Sequence, residues 1–427
     1  MGENKSANGF WKAFGPGLLF AGAAVGVSHL VQSTRAGAVY GLALLVFVVI
    51  ANFVKYPAFR FGQQYAAATG ENLLVAYRRQ GKGVLWLFVV ITLLTMFTGC
   101  AAITLTTAAL AKATFHLSQN LSTISLEIWG VILAILFVGE FRALDFLIKL
   151  LLAFLSIVTL LATALTLPSI PFTGFGDFWP NNFEPATIIF IAALVGWMPA
   201  PLDTAVWQSL WTQAKARVTK HQPTVRESAL DFNIGFVVTT ILALCFVLMG
   251  AGVMFQSGTT FEQGAPAFAV QILGLYEASL GSTIATLVGF AAMSVVFSTT
   301  LTAIDAWPRT LAGVALTVED KGIDVDDHRI SHAIRSPYYW VATVVLLAGA
   351  YLILTVMMNS FKTLIDIATT ISFISAPLLA RFNHVAMFGD HVPREKKPGF
   401  FLWIWSALGV LIMAAFALYY IWIRFLN

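Results

Sequence analysis

The chain reads as an all-α integral membrane protein, on three observations. Of its 427 residues, 58% are hydrophobic and 11% charged, and mean hydropathy is +0.81, a balance foreign to a soluble globule. The apolar residues gather into about eleven runs, most close to the ~20 residues that a membrane-spanning helix needs. Two of those runs, the first and the sixth, are interrupted by residues that a continuous helix does not carry.

In chain order the spans are expected near 14–34, 40–58, 84–111, 127–139, 143–167, 186–211, 230–255, 279–307, 337–358, 361–380 and 400–423. Alternate connections carry the basic residues: Lys5 and Lys12, then Arg60, Arg78, Arg79 and Lys82, then Arg142, then Lys215, Arg217, Lys220 and Arg226, then Lys321, Arg329 and Arg335, and last Arg394, Lys396 and Lys397. The opposite set holds little beyond Arg35, Lys112 and Lys362. By the positive-inside rule the amino terminus is cytoplasmic, and an odd span count puts the carboxyl terminus outside. The expected location is the cell (inner) membrane, with the lipid bilayer as the first partner. The net charge of +4 then reflects topology, since no basic patch interleaved with exposed aromatics points to nucleic acid.

Residues 1–427 form a single membrane domain without linker or low-complexity segment. The longest polar stretch, around "VEDKGIDVDDHRISHAIRS", reads as a solvated cytoplasmic loop. The opening "MGENKSANGF" is polar and the span after it lacks a small-residue cleavage site, which argues against a removable signal peptide. Cys100 and Cys245 fall inside apolar runs, so they are expected to pack rather than to bridge or bind metal.

The first span runs from Gly15-Pro16 through Gly22 and Gly26 to Val27, Ser28 and His29, where hydrocarbon should continue. The sixth reads "LVGWMPAPLDTAVWQSLW", in which Pro199 and Pro201 each remove a backbone donor and crowd the preceding turn. Broken backbone at membrane depth survives only where protein or a watery cavity satisfies the freed groups. Two breaks set five spans apart are the mark of an inverted-repeat transporter with a midplane site. The repeats would cover about 14–167 and about 186–387, with an added helix at about 400–423.

The residues at these breaks resemble the Nramp family of proton-coupled divalent-metal transporters, which have a LeuT-like five-plus-five fold. The family's first span reads Gly-Pro, nine residues, Asp-Pro-Gly-Asn, and then Gln-Ala-Gly-Ala-x-Tyr-Gly. Here Gly15-Pro16 and "RAGAVYG" from Arg35 to Gly41 keep that frame without a gap. Met198-Pro199-Ala200 matches a family Met-Pro-His, and "FSTTLTA" from Phe297 to Ala303 is similar to its Ser-Ser-Thr-Leu-Thr run.

Within that frame the family's metal-binding Asp falls on Gly26, its Pro on Val27, its Gly on Ser28 and its Asn on His29, and the family His falls on Ala200. The acidic residues of the family's third span have no counterpart in "TMFTGCAAITLTTAAL". The resemblance leaves His29 and Met198 as candidate metal ligands, a pair suited to a late or soft metal. A dehydrated divalent ion nevertheless needs anionic or strongly dipolar ligands, and this set contains no carboxylate.

The expected substrate site is therefore Gly26, Ser28, His29, Trp197, Met198 and Ala200. His29 is a candidate as ligand, proton carrier or neutral cap of the break; Met198, as soft ligand or packing residue. Asp203 stands in the first turn after Pro201, where a carboxylate favours the half-helix dipole or a cation at the vestibule. Ser298, Thr299 and Thr300 offer hydroxyls to a sodium ion held against carbonyls of the broken first span, or simply pack. Asp305 and Arg309, Asp145 and Lys149, and Lys362 and Asp366 are pairs at helical spacing, with Asp305 also a candidate for the coupling-ion or proton path.

Three readings follow: a secondary transporter of divalent metal, a secondary transporter of a small organic solute coupled to sodium or protons, and a non-transporting sensor on the same scaffold. An enzyme is not expected, because the sequence offers no HExxH, GxSxG or P-loop motif and no convergent carboxylate pair. No cofactor is implied.

Overall fold

A computed structural model describes residues 9–138, 141–170, 172–255, 264–319 and 336–426. Among these the chain is almost entirely helical. The first span is two pieces, α1 (Pro16–Ala24) and α2 (Ser28–Tyr40), bent by 47° at a short break. There follow α3 (Leu45–Thr69), α4 (Leu73–Gln80), α5 (Lys82–Phe115), α6 (Leu121–Val138) and α7 (Phe141–Thr166). The sixth span is also two pieces, α8 (Pro185–Gly196) and α9 (Thr204–Thr219). After it come α10 (Val225–Met249), α11 (Ala265–Leu280), α12 (Ser282–Glu319), α13 (Pro337–Met357), α14 (Phe361–Phe388) and α15 (Phe400–Phe425). Among the described residues eight helices are individually long and apolar enough to cross a membrane, and the bent first pair makes a ninth. The fourth expected span appears as the shorter apolar helix α6, and the first piece of the sixth as the short apolar helix α8.

Local chemistry sets the ends. Asn72 caps α4 by accepting from the Leu74 amide at 2.9 Å. Thr224 and Glu227 form a reciprocal capping box on α10. Pro16, Pro185 and Pro337 open their helices where a missing N–H costs nothing. The helices α4 and α11 lie outside the expected spans: α4 is too polar to read as one, and α11 begins at a Gly-Ala-Pro turn that breaks the apolar run.

Position across the bundle follows polarity. In α12, which carries the hydroxyl run and the Asp305–Arg309 pair, the most apolar 18-residue window of Gly289–Val318 is 78% buried, whereas that of α13 is 28% buried, and α13 turns Val341, Val344 and Leu352 outward. The α12 helix packs on α5 and α1, and α14 packs on α8, so the central helices are those that meet the two breaks. At the start of the first span, α1 crosses α10 so closely that a Cβ on Gly17 would stand 2.1 Å from the Asp231 carbonyl oxygen.

Two charge expectations change. Lys362 was paired by spacing with Asp366, but the Asp366 carboxylate is taken by Arg35, Nη1 to Oδ1 at 2.7 Å and Nη2 to Oδ2 at 3.3 Å. Arg35 is thus no loop charge; it is 8% exposed and lies over the Phe190 ring. A bidentate fork across two helices holds the carboxylate better than a flexible ammonium one turn away. Asp305 and Arg309 do pair, at 2.8 Å, and Tyr339 donates its hydroxyl to Asp305 at 3.1 Å. The side chains of Asp145 and Lys149, and residues 320–335 of the mixed-charge loop with Lys321, Arg329 and Arg335, lie outside the described residues, as does Lys5.

Candidate substrate site at the helix breaks

The breaks of the first and sixth spans face one another. Between them lies a cavity of about 30 Å³ lined by Ala23, Ala24, Val27, Ser28, Ile103, Trp197, Pro201, Thr204, Trp207, Thr299, Ala303 and Trp307. Three tryptophans and short apolar side chains make most of the wall. The Trp197 indole is held by donation to Ser372 Oγ at 2.8 Å, and the Trp207 and Trp307 rings meet edge to face at 5.2 Å.

Gly26 owes its identity to a close approach. A Cβ there would lie 2.7 Å from Thr299 Oγ1 and 2.9 Å from its methyl. That hydroxyl sits within 2.9 Å of the Gly22 carbonyl and 3.2 Å of the Val25 carbonyl, so Thr299 serves the oxygens that the first break frees. The neighbouring hydroxyls do otherwise: Ser298 donates to Val295 in its own helix, and Thr300 donates to Val296 and meets Thr107 at 2.7 Å. Of the expected three, the geometry brings Thr299 alone to the break.

Ser28 lines the cavity, and its hydroxyl lies 2.7 Å from the Ala24 carbonyl and 2.7 Å from His29 Nδ1. His29 is fully buried, with Nε2 3.0 Å from the Thr239 carbonyl. A carbonyl only accepts, so Nε2 carries a hydrogen, and both ring nitrogens are engaged within the protein. Met198 is likewise fully buried, in an apolar cluster with Ala36, Val48, Leu194 and Val247, and precedes a cis bond to Pro199. Ala200 packs with Phe20, Ala24 and Leu202. The cavity wall includes neither His29 nor Met198, and among the described residues no cluster of three or more His, Cys, Asp or Glu forms a metal centre.

Asp203 is the carboxylate nearest the cavity. It is 2% exposed and stands at the amino end of α9, next to the wall residue Thr204. Oδ2 accepts from Trp307 Nε1 at 3.3 Å, while Oδ1 has no hydrogen-bond partner. Asp305 lies farther along α12, committed to Arg309 and Tyr339.

Two charged residues at the ends of the broken helices stand outside the expected set. Asp231 of α10 accepts from the Gly15 amide at 2.9 Å and the Gly17 amide at 2.7 Å, capping α1 from another helix, and from Gln63 at 2.6 Å. Lys55 of α3 donates to the carbonyls of Val195 at 2.6 Å and Gly196 at 3.0 Å, the last turn of α8. The signal for Lys55 was a lone ionisable residue inside an apolar span; a cap supplied across helices, like that of Asp231, leaves no pattern in the chain.

A profile of natural resistance-associated macrophage protein-like sequences matches residues 17–423. The chain belongs to the Nramp family. This Nramp protein is 33% identical, over 423 residues, to an uncharacterized protein of Pasteurella multocida (strain Pm70), covering 98% of the chain and 94% of that relative. Among solved structures, a mutant manganese transporter of Eremococcus coleocola aligns at a TM-score of 0.71 with 15% identity, over 99% of this chain and 88% of that one. The transporter MhsT, in complex with L-phenylalanine, aligns at 0.62 with 11% identity, over 96% and 98%. Mhp1, a nucleobase-cation-symport-1 family transporter, aligns at 0.58 with 13% identity, over 96% and 92%. The expected LeuT-like transporter fold, broken at its first and sixth helices, is the fold this Nramp chain adopts.

Proposed function

We propose that the chain is a secondary active transporter that carries a divalent metal ion of the manganese or iron kind by alternating access at the paired breaks. The observation that carries this reading is the meeting of two broken helices around a cavity of about 30 Å³, room for one ion- or water-sized body. The charge such an ion requires would come from Asp203, whose Oδ1 is buried and unpartnered beside the wall. Ser28 and the carbonyls of the breaks would add oxygen ligands, and His29 or Met198 would join only after leaving their present partners. A coupling sodium ion would be held at Thr299, whose hydroxyl lies between the Gly22 and Val25 carbonyls, with proton coupling through Asp203 the other route. The two repeats, about 14–167 and about 186–387, would move against each other around this point, with the amino terminus cytoplasmic in the cell membrane. The full-length fold likeness to the Eremococcus coleocola manganese transporter supports the same reading.

A second reading, transport of a small organic solute, is favoured by the wall itself: Trp197, Trp207 and Trp307 line the cavity, and no carboxylate side chain does. Such a solute would require the cavity to open. The discriminating measurement is uptake into proteoliposomes of manganese, cadmium and magnesium, then of amino acids and organic acids, under imposed sodium or proton gradients. Saturable manganese uptake is the expected result. Absence of metal flux under every gradient, with uptake of an organic solute, would replace the first reading by the second.

A further inference from the structure

The broken sixth span leaves two backbone ends buried in protein, and each has an ionisable side chain of opposite kind beside it. The amide end, at the start of α9, carries Asp203. The carbonyl end, at the close of α8, carries the Lys55 ammonium at 2.6 and 3.0 Å from the last two carbonyls. Each pairing agrees with the helix dipole, positive at its amino end and negative at its carboxyl end. Lys55 is 1% exposed, and among the described residues no carboxylate forms a salt bridge with it. A lysine so deeply buried without an anion is rare, and its charge is sustained only by groups that solvate it in place of water. Here those groups are carbonyl oxygens, the same ligands that replace the hydration shell of monovalent cations elsewhere.

We propose that the Lys55 ammonium is a tethered cation occupying a cation seat formed by the Val195 and Gly196 carbonyls, and that it is a positioning residue for the substrate cavity. Gly196 immediately precedes Trp197, whose indole walls that cavity, so the clamp fixes the entry of the break. The lysine arm borders a second, apolar cavity of about 200 Å³ between α3, α8, α14 and α15, lined by Phe47, Val54, Val195, Phe373 and Phe416 among others. Shortening the arm therefore leaves a seat with its oxygens in place and space beside it for a small free ammonium ion.

The test is chemical rescue of Lys55→Ala, read first by thermal melting of the purified protein, a readout independent of which substrate is carried. Melting several degrees below the native protein is expected, restored saturably by methylammonium chloride and not by tetramethylammonium chloride at equal concentration, which has the charge but no N–H donor. The native protein should respond to neither. If the variant does not survive purification, the same comparison is read as yield of monodisperse protein extracted in methylammonium against tetramethylammonium, with a several-fold gain expected. Lys55→Met, which fills the volume of the arm without its charge, should melt lower and show no rescue. Manganese uptake adds a readout of the cavity, with methylammonium raising uptake by Lys55→Ala. Native stability in Lys55→Met, or methylammonium acting no better than tetramethylammonium on Lys55→Ala, would overturn the proposal.

Discussion

At the scale of single residues the proposed transport rests on Asp203. One of its oxygens accepts from Trp307 and the other is buried without a partner, which is why it is the proposed source of charge for a cation. Asp203→Asn keeps the shape and a carbonyl for Trp307, so folding should be retained while metal uptake falls at least about tenfold, the cost of one charge-assisted contact. Uptake counted beside size-exclusion profiles checks both halves of that statement. Gly26 makes the opposite kind of demand. Gly26→Ala sets a methyl against the Thr299 side chain, and about 1–3 kcal/mol of destabilisation is expected from overpacking. Combining it with Thr299→Ala removes both close atoms, so the double variant should recover part of the loss; strict additivity in melting experiments would argue against the contact.

At the scale of elements, the first span is two independently anchored pieces. The first piece, α1, is capped by Asp231 from α10. Asp231→Asn retains one acceptor and gives up the charge, so about 1–3 kcal/mol is expected, together with faster labelling of a cysteine placed at the start of α1. The second piece, α2, is tied to α14 by Arg35 and Asp366. Asp366→Ala would leave Arg35 without its anion. The Asp366 side chain is 33% exposed, so the loss should be about 1–2 kcal/mol, between that of a surface pair and the 3–5 kcal/mol of a fully buried one. Thermal melting of the Arg35→Met and Asp366→Ala variants and their double measures the coupling directly. In the proposed alternating access, separate anchoring of α1 and α2 would let the two ends of one span move at different times.

For the whole molecule, the proposed activity predicts that uptake into proteoliposomes depends on an imposed gradient and collapses when an ionophore dissipates the coupling ion. Uptake that is indifferent to both sodium and proton gradients would exclude secondary active transport. Much of the architecture behind this was legible in the chain. The apolar runs, Gly26, Pro199 and Pro201 placed the spans and both breaks, because span length and helix breaking are local properties written in consecutive residues. The frame from Gly15-Pro16 to Gly41, which carries the resemblance to the family, is likewise a matter of order along the chain. Tertiary structure alone decided which side chains serve the breaks. It turned His29 toward Thr239, packed Met198 among apolar residues, chose Thr299 over Ser298 and Thr300, took Asp366 from Lys362 for Arg35, and brought Lys55 and Asp231 to helix ends far away in sequence. A hydrogen bond or ion pair depends on distance and direction to within fractions of an ångström, and the crossing of helices fixes those quantities where spacing along the chain does not.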